Sequence, residues 1–139
     1  MNILFVCRHN RFRSKVAEAV FRHNYKGAEV KTKSAGLAVD IMHPYIARNV
    51  VLALKEKGIS VRDDGAKRID SFILKWADKI IIVADNVSPN MFKDKELIDG
   101  KQIIQWDISD TSESDFEGIK KRINKIEKLT LDLIKMVEN

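Results

Sequence analysis

The sequence predicts an α/β protein: a three-layer sandwich in which helices flank a four-stranded parallel sheet, built as a single domain over residues 1–139. Three observations predict it. Short continuous apolar runs, "NILFV" (2–6) and the middle of "DKIIIVAD" (78–85), lack the alternation of half-buried strands and so read as strands covered on both faces. Strand-like and helix-like segments alternate along the chain, the order that a parallel sheet with crossover helices requires. The chain, at 139 residues, 45% apolar and 32% charged, is long enough to bury a core without disulfides or metals.

The elements follow in order. "NILFV" (2–6) is the first strand. "SKVAEAVFRH" (14–23) places Val16, Ala19, Val20 and His23 at helical spacing, with Ser14 in a capping position and His23 read as a core histidine. "AEVKTKSAG" (28–36) alternates and ends in small residues, a second strand, and a loop through "LAVDIMH" follows. Pro44 opens a helix over "PYIARNVVLALKEKG", with proline in the first turn and Gly58 past the end. "DSFILKWA" (70–77) is a short helix capped by Asp70, and "DKIIIVAD" (78–85) the third strand. The turn-rich "NVSPN" leads through a short irregular helix to the fourth strand, "KQIIQW" (101–106). Phe116, Ile119, Ile123, Ile126, Leu129, Leu133 and Val137 recur at steps of three and four. They predict a last amphipathic helix, roughly 35 Å long if ~23 residues are helical, with its stripe on the sheet.

Lysine and arginine number 25 against 20 acidic residues, a formal charge of +5 that favours anionic partners. The basic residues are spread along the chain without a stacked-aromatic or helix-turn-helix pattern, so nucleic acid is not expected as a partner. No stretch approaches the ~18 apolar residues of a membrane span, and the opening run is too short for a signal peptide. A cytoplasmic protein off the membrane is therefore expected. One cysteine excludes an internal disulfide, a CxxC pair and a cysteine zinc site, and His9, His23 and His43 lack ligand spacing. No metal and no cofactor are expected.

That cysteine, Cys7, ends the first apolar run and stands among cations in "FVCRHNRFRS" (5–14). A structural core cysteine would have apolar neighbours on both sides. A loop from strand end to helix start instead gathers backbone N–H groups and the helix dipole at one spot, an anion site in itself. There a thiolate at Cys7 is stabilised and nucleophilic. Arg13, six residues on, can fork its guanidinium onto two oxygens of a tetrahedral oxyanion.

This C-x5-R-S order is the phosphate loop of cysteine-dependent phosphatases, and with Asn10 at its fourth position the chain resembles the low-molecular-weight protein tyrosine phosphatases. The resemblance continues in "AEA" (17–19), "SAG" (34–36) and "WDISDT" (106–111), over nearly the whole chain. It implies a phosphate loop after the first strand, made of Cys7, Arg8, His9, Asn10, Arg11, Phe12, Arg13 and Ser14. In it Asn10 would hold a left-handed turn and Ser14 would donate to the Cys7 sulfur. It also implies a general acid in the loop after the last strand. Asp110 is the choice there and Asp107 the alternative, while either could instead cap the helix that follows. Arg8, His9 and Arg11 would line the mouth and recruit anionic substrates, or Arg8 and Arg11 would be solvated. The chain departs from the family in having His9 for glycine, Lys15 for proline, and no paired tyrosines after the acid.

The function implied is phosphomonoester hydrolysis through a phosphocysteine, with a phosphotyrosine protein or small aryl phosphate as substrate and inorganic phosphate or a similar oxyanion as ligand. Two alternatives keep the loop and change the class. An arsenate reductase would need an external small thiol, because the chain has no further cysteines. A non-catalytic phospho-ligand module would have no use for a thiol, and a cysteine protease none for Arg13.

Overall fold

In the computed structural model, which describes residues 1–138, β1 (Asn2–Cys7) lies inside the sheet and every other layer is arranged around it. The remaining elements are α1 (Arg13–Asn24), β2 (Lys31–Gly36), α2 (Arg48–Glu56), α3 (Ser71–Trp76), β3 (Lys79–Val83), α4 (Lys95–Ile98), β4 (Gln102–Trp106) and α5 (Phe116–Glu138), with a 3-10 turn at Pro89–Met91. The four strands run parallel in the order β2-β1-β3-β4. The predicted α/β sandwich is therefore the observed one.

Because side chains alternate across a strand, the apolar runs feed two cores. Ile3, Phe5, Ile81 and Val83 join the core beneath α1, α2 and α5, whereas Leu4, Val6, Ile80 and Ile82 join the one beneath α3 and α4. α5 buries Ile119, Ile123, Ile126, Leu133 and Ile134 on the first side, so its stripe packs as its spacing predicts. Asp70 caps α3 by accepting from the Ile73 amide at 2.8 Å. Gly58, at φ 74°, ends α2, and the Ile59 amide turns back onto the Leu54 carbonyl at 3.0 Å.

Four expectations are corrected. α2 begins at Arg48, not Pro44, because the backbone just before it is engaged elsewhere. The Pro44 carbonyl accepts from Ala66, the Tyr45 carbonyl from Arg11, and the Ile46 amide donates to Asp63. Ser14 lies inside α1 rather than capping it; Phe12 holds the N-cap position with no side-chain hydrogen bond. His23 is exposed, because burial along α1 stops at Phe21 and the last turn outruns the core. β2 is shorter than expected, beginning at Lys31.

The amino ends of the strands are tied together by polar groups. The Asn2 amide donates to Asp78 at 2.8 Å and its side chain to the Trp76 carbonyl at 2.9 Å, while the Lys101 ammonium reaches the carbonyls of Leu74 and Ala77. The carboxyl ends are left for the loops that follow. Among the described residues no helix is long and apolar enough to cross a membrane.

Candidate active site

Residues 7–14 wrap from the end of β1 into the first turn of α1, and the wrap depends on two backbone positions. Asn10 takes φ 56°, the left-handed region that asparagine tolerates better than most residues. Gly36, at the end of β2, lies so close that a Cβ there would meet the Asn10 nitrogen at 2.9 Å and the His9 carbonyl carbon at 2.9 Å. Only glycine lets the loop lie against β2, which explains the "SAG" stretch. Leu37 and Ala38 continue the contact, their amides donating to the Cys7 and Arg8 carbonyls at 3.0 and 2.7 Å, and the His9 ring donates to the Ala38 carbonyl at 2.7 Å. His9 thus braces the loop from the side.

The hydrogen bonds around Cys7 can be given a direction. Asn10 Oδ1 receives the Lys67 backbone N–H at 2.9 Å, and since an amide N–H can only donate, this fixes which end of the Asn10 side chain is oxygen. Asn10 Nδ2 then donates to Ser14 Oγ at 2.8 Å, and Ser14 Oγ stands 2.9 Å from Cys7 Sγ, its hydroxyl hydrogen available to the sulfur whenever Cys7 is a thiolate. The Asn10 backbone amide also points at the sulfur, 3.3 Å away. A thiolate at Cys7 would thus receive two donors, the Ser14 hydroxyl and the Asn10 amide, an arrangement suited to an anionic sulfur. Cys7, Asn10 and Ser14 are all buried.

Arg13 is buried too, at 2% exposure, and its guanidinium is oriented by groups far away in sequence. Nη1 donates to the Ile108 carbonyl at 2.8 Å and Nη2 to Asn86 Oδ1 at 3.1 Å, while carboxylate oxygens of Asp85 and Asp110 stand 3.6 and 3.9 Å off. Asp110 lines the same pocket as Cys7 and Arg13; Asp107 does not, its carbonyl accepting from Lys125 instead. The cap of α5 is neither of them. Asp115 takes that role, accepting from the Gly118 amide at 3.0 Å and from Thr111 Oγ1 at 2.6 Å. The Thr111 hydrogen bond, then that of Gly118, hold the Asp115 carboxyl below its ordinary range.

Beyond the sulfur the pocket has an apolar wall of Phe12, Ala47, Val50 and Ile119 and a polar rim of Arg11, Thr111 and Glu113. Arg11 donates through Nε to the Tyr45 carbonyl at 2.7 Å and pairs through Nη1 with Glu113 at 2.5 Å, so it is not a solvated loop residue. Lys15, where the family pattern has proline, is buried and donates to Asp64 at 2.8 Å. Burial pushes the Asp64 carboxyl up, but the hydrogen bonds and charges of Lys15 and Lys67 outweigh it and hold that carboxyl well below the usual range. Among the described residues no group of three or more His, Cys, Asp or Glu side chains could hold a metal ion.

Asp85, Asn86 and Glu113 were not singled out from the sequence. For Asp85 and Asn86 a signal existed: they directly follow β3, the strand beside β1, at the carboxyl edge where parallel sheets bind ligands. Glu113 had none, since nothing in sequence links it to Arg11.

Residues 2–139 match the protein family described as low molecular weight phosphotyrosine protein phosphatase. A curated arsenate reductase of Brevibacillus brevis is 39% identical over 90 residues, a match that covers 63% of this chain and 63% of that protein's length. Among solved structures, the low molecular weight protein tyrosine phosphatase of T. tengcongensis superposes with a TM-score of 0.76 at 28% identity, over 98% of this chain and 99% of its own. The arsenate reductase of Archaeoglobus fulgidus gives a TM-score of 0.75 at 25% identity, over 96% and 98%.

Proposed function

The chain belongs to the low molecular weight phosphotyrosine protein phosphatase family, and from that premise we propose that it hydrolyses phosphate monoesters, aryl esters such as phosphotyrosine foremost, through a phosphocysteine on Cys7. The observation that carries this reading is the convergence on one sulfur: the Ser14 hydroxyl and the Asn10 amide stand 2.9 and 3.3 Å from Cys7 Sγ, and Arg13 and Asp110 line the same pocket.

In the first step Cys7 Sγ attacks phosphorus in line with the ester oxygen. The S–P bond forms as the P–O bond breaks, and Asp110 gives its proton to the departing phenolate. Arg13 and the loop amides stabilise the equatorial oxygens, where charge gathers in the transition state. Ser14 makes the sulfur a better leaving group in the second step by donating to it. There Asp110, now a carboxylate, takes a proton from water; the water oxygen bonds to phosphorus, the S–P bond breaks, and inorganic phosphate leaves. The apolar wall of Phe12, Ala47, Val50 and Ile119 suits an aromatic leaving group.

The arsenate reductase names among the relatives favour a second reading on the same residues. Cys7 would bond to arsenic with loss of water; a small external thiol would attack the sulfur, releasing arsenite as As(V) takes up two electrons, and a second thiol would free Cys7 as a disulfide of the two small thiols departs. The test runs p-nitrophenyl phosphate and arsenate side by side, with and without a small thiol. The phosphatase reading expects thiol-independent nitrophenol release that Cys7→Ser abolishes, with phosphate binding retained by the loop amides and Arg13. More than a few per cent of turnover remaining in that variant overturns the nucleophile; thiol-dependent arsenite without nitrophenol release selects the second reading.

A further inference from the structure

The acid loop between β4 and α5 is held at its base by α5 and its cap: Arg122 donates to the carbonyl and hydroxyl of Ser109 at 2.8 and 3.0 Å, and Thr111 to Asp115. These contacts shape the loop but do not bring it to the phosphate loop. Two arginines of the phosphate loop do that. Arg13 takes the Ile108 carbonyl at the near end, and Arg11 takes the Glu113 carboxylate at the far end. Asp110 lies on the span between the two fastenings.

We propose that Arg11 is a positioning residue whose ion pair with Glu113 holds Asp110 over Cys7. This rests on the phosphatase reading above and adds to it the device that delivers the acid. The geometry suits the task. Arg11 Nε is anchored on the Tyr45 carbonyl at 2.7 Å, so its side chain, 23% exposed, is already ordered when Nη1 meets Glu113. That reduces the side-chain entropy which usually erases the value of a surface ion pair. On the other side, Asn49 of α2 donates to the Glu113 carbonyl at 2.8 Å and steadies the residue's backbone while its carboxylate turns to Arg11. The charge of Arg11 is thereby matched within the protein, and its contribution to the reaction runs through Asp110.

The experiment compares phenyl phosphate, whose leaving group needs protonation, with p-nitrophenyl phosphate, whose leaving group hardly does. In Glu113→Gln the ratio of kcat for phenyl phosphate to kcat for p-nitrophenyl phosphate falls about two- to fivefold, the range over which an exposed ion pair moves a loop equilibrium. High salt screens exposed charges, so it lowers the phenyl-to-nitrophenyl ratio of the wild type and not that of the variant. Amide hydrogen exchange over residues 109–113 quickens in Glu113→Gln, a readout independent of turnover. An unchanged ratio in a variant that still turns over p-nitrophenyl phosphate overturns the role of Arg11 and leaves the phosphatase reading standing. A wild-type protein that turns over neither ester overturns that reading and takes this inference with it.

Discussion

Cys7, Asn10 and Ser14 form a closed relay in which each polar atom has one consistent use: the Lys67 amide orients Asn10, Asn10 orients Ser14, and Ser14 faces the sulfur. Asp110 has no such enclosure; its carboxylate is 46% exposed and 3.9 Å from Arg13, as suits the proton donor proposed above. If it protonates the leaving group, Asp110→Asn slows phenyl phosphate by ~10²- to 10⁴-fold, the usual worth of general acid catalysis, and p-nitrophenyl phosphate far less. Asp107→Asn, whose side chain lies off the pocket, leaves the ratio of the two rates unchanged. The reverse pattern, read from steady-state kinetics on both esters, moves the assignment to Asp107. At this scale the phosphate loop was legible because its chemistry sits within eight consecutive residues. The partners of Arg13 were not, since Asn86 and Ile108 lie 73 and 95 positions along the chain and meet it only through the fold.

Helices and strands were read from periodicity, and the misreadings have local causes. Pro44 is well suited to a first turn, yet carbonyls and amides at residues 44–46 are drawn to Arg11, Asp63 and Ala66 before a helix can use them. Tertiary hydrogen bonds there outweigh a start signal that is correct in isolation. Lys15 shows the same competition, a charged side chain on a buried helix face tolerated because Asp64 comes to meet it from the connection between α2 and α3. The folded protein holds Asp64 below the ordinary 3.8, so this carboxylate contributes stability that is fully present above that value and fades as pH falls toward its lower folded one. Asp64→Asn is accordingly expected to lower Tm near neutral pH by roughly 3 °C or more, because it leaves a buried ammonium without its partner. Thermal melts of both proteins from pH 7 to pH 2 check the sign: the gap must narrow below 3.8, and a gap that widens there refutes the assignment.

At the scale of the molecule, the alternation of apolar runs and amphipathic helices announced a parallel sheet, because strands covered on both faces need helices on both sides. The strand order β2-β1-β3-β4 was not legible, since pairing in a parallel sheet is set by how the crossovers run and no residue of a strand names its neighbour. The two cores differ in kind: one is built on the long α5, the other on the short α3 and α4. Removing most of a fully buried side chain from the larger core, as in Ile123→Ala, is expected to cost about 2–5 kcal/mol. Urea unfolding should show this as a lower midpoint with an unchanged slope; a loss no larger than that of the surface variant Leu52→Ala would mean that α5 is not integral to the core. A parallel sheet also has a direction. At the carboxyl ends Cys7 enters the pocket, Gly36 lies against its loop and Asn86, just past β3, holds Arg13, while at the opposite rim Asn2, Asp78 and Lys101 bind the strands to one another without lining it. Foundation and working face are thus different ends of the same strands. Variants that harden the protein against heat can be sought around Asn2 and Lys101 and variants that change its substrate around Phe12 and Val50, two searches that can proceed in parallel and be combined afterwards.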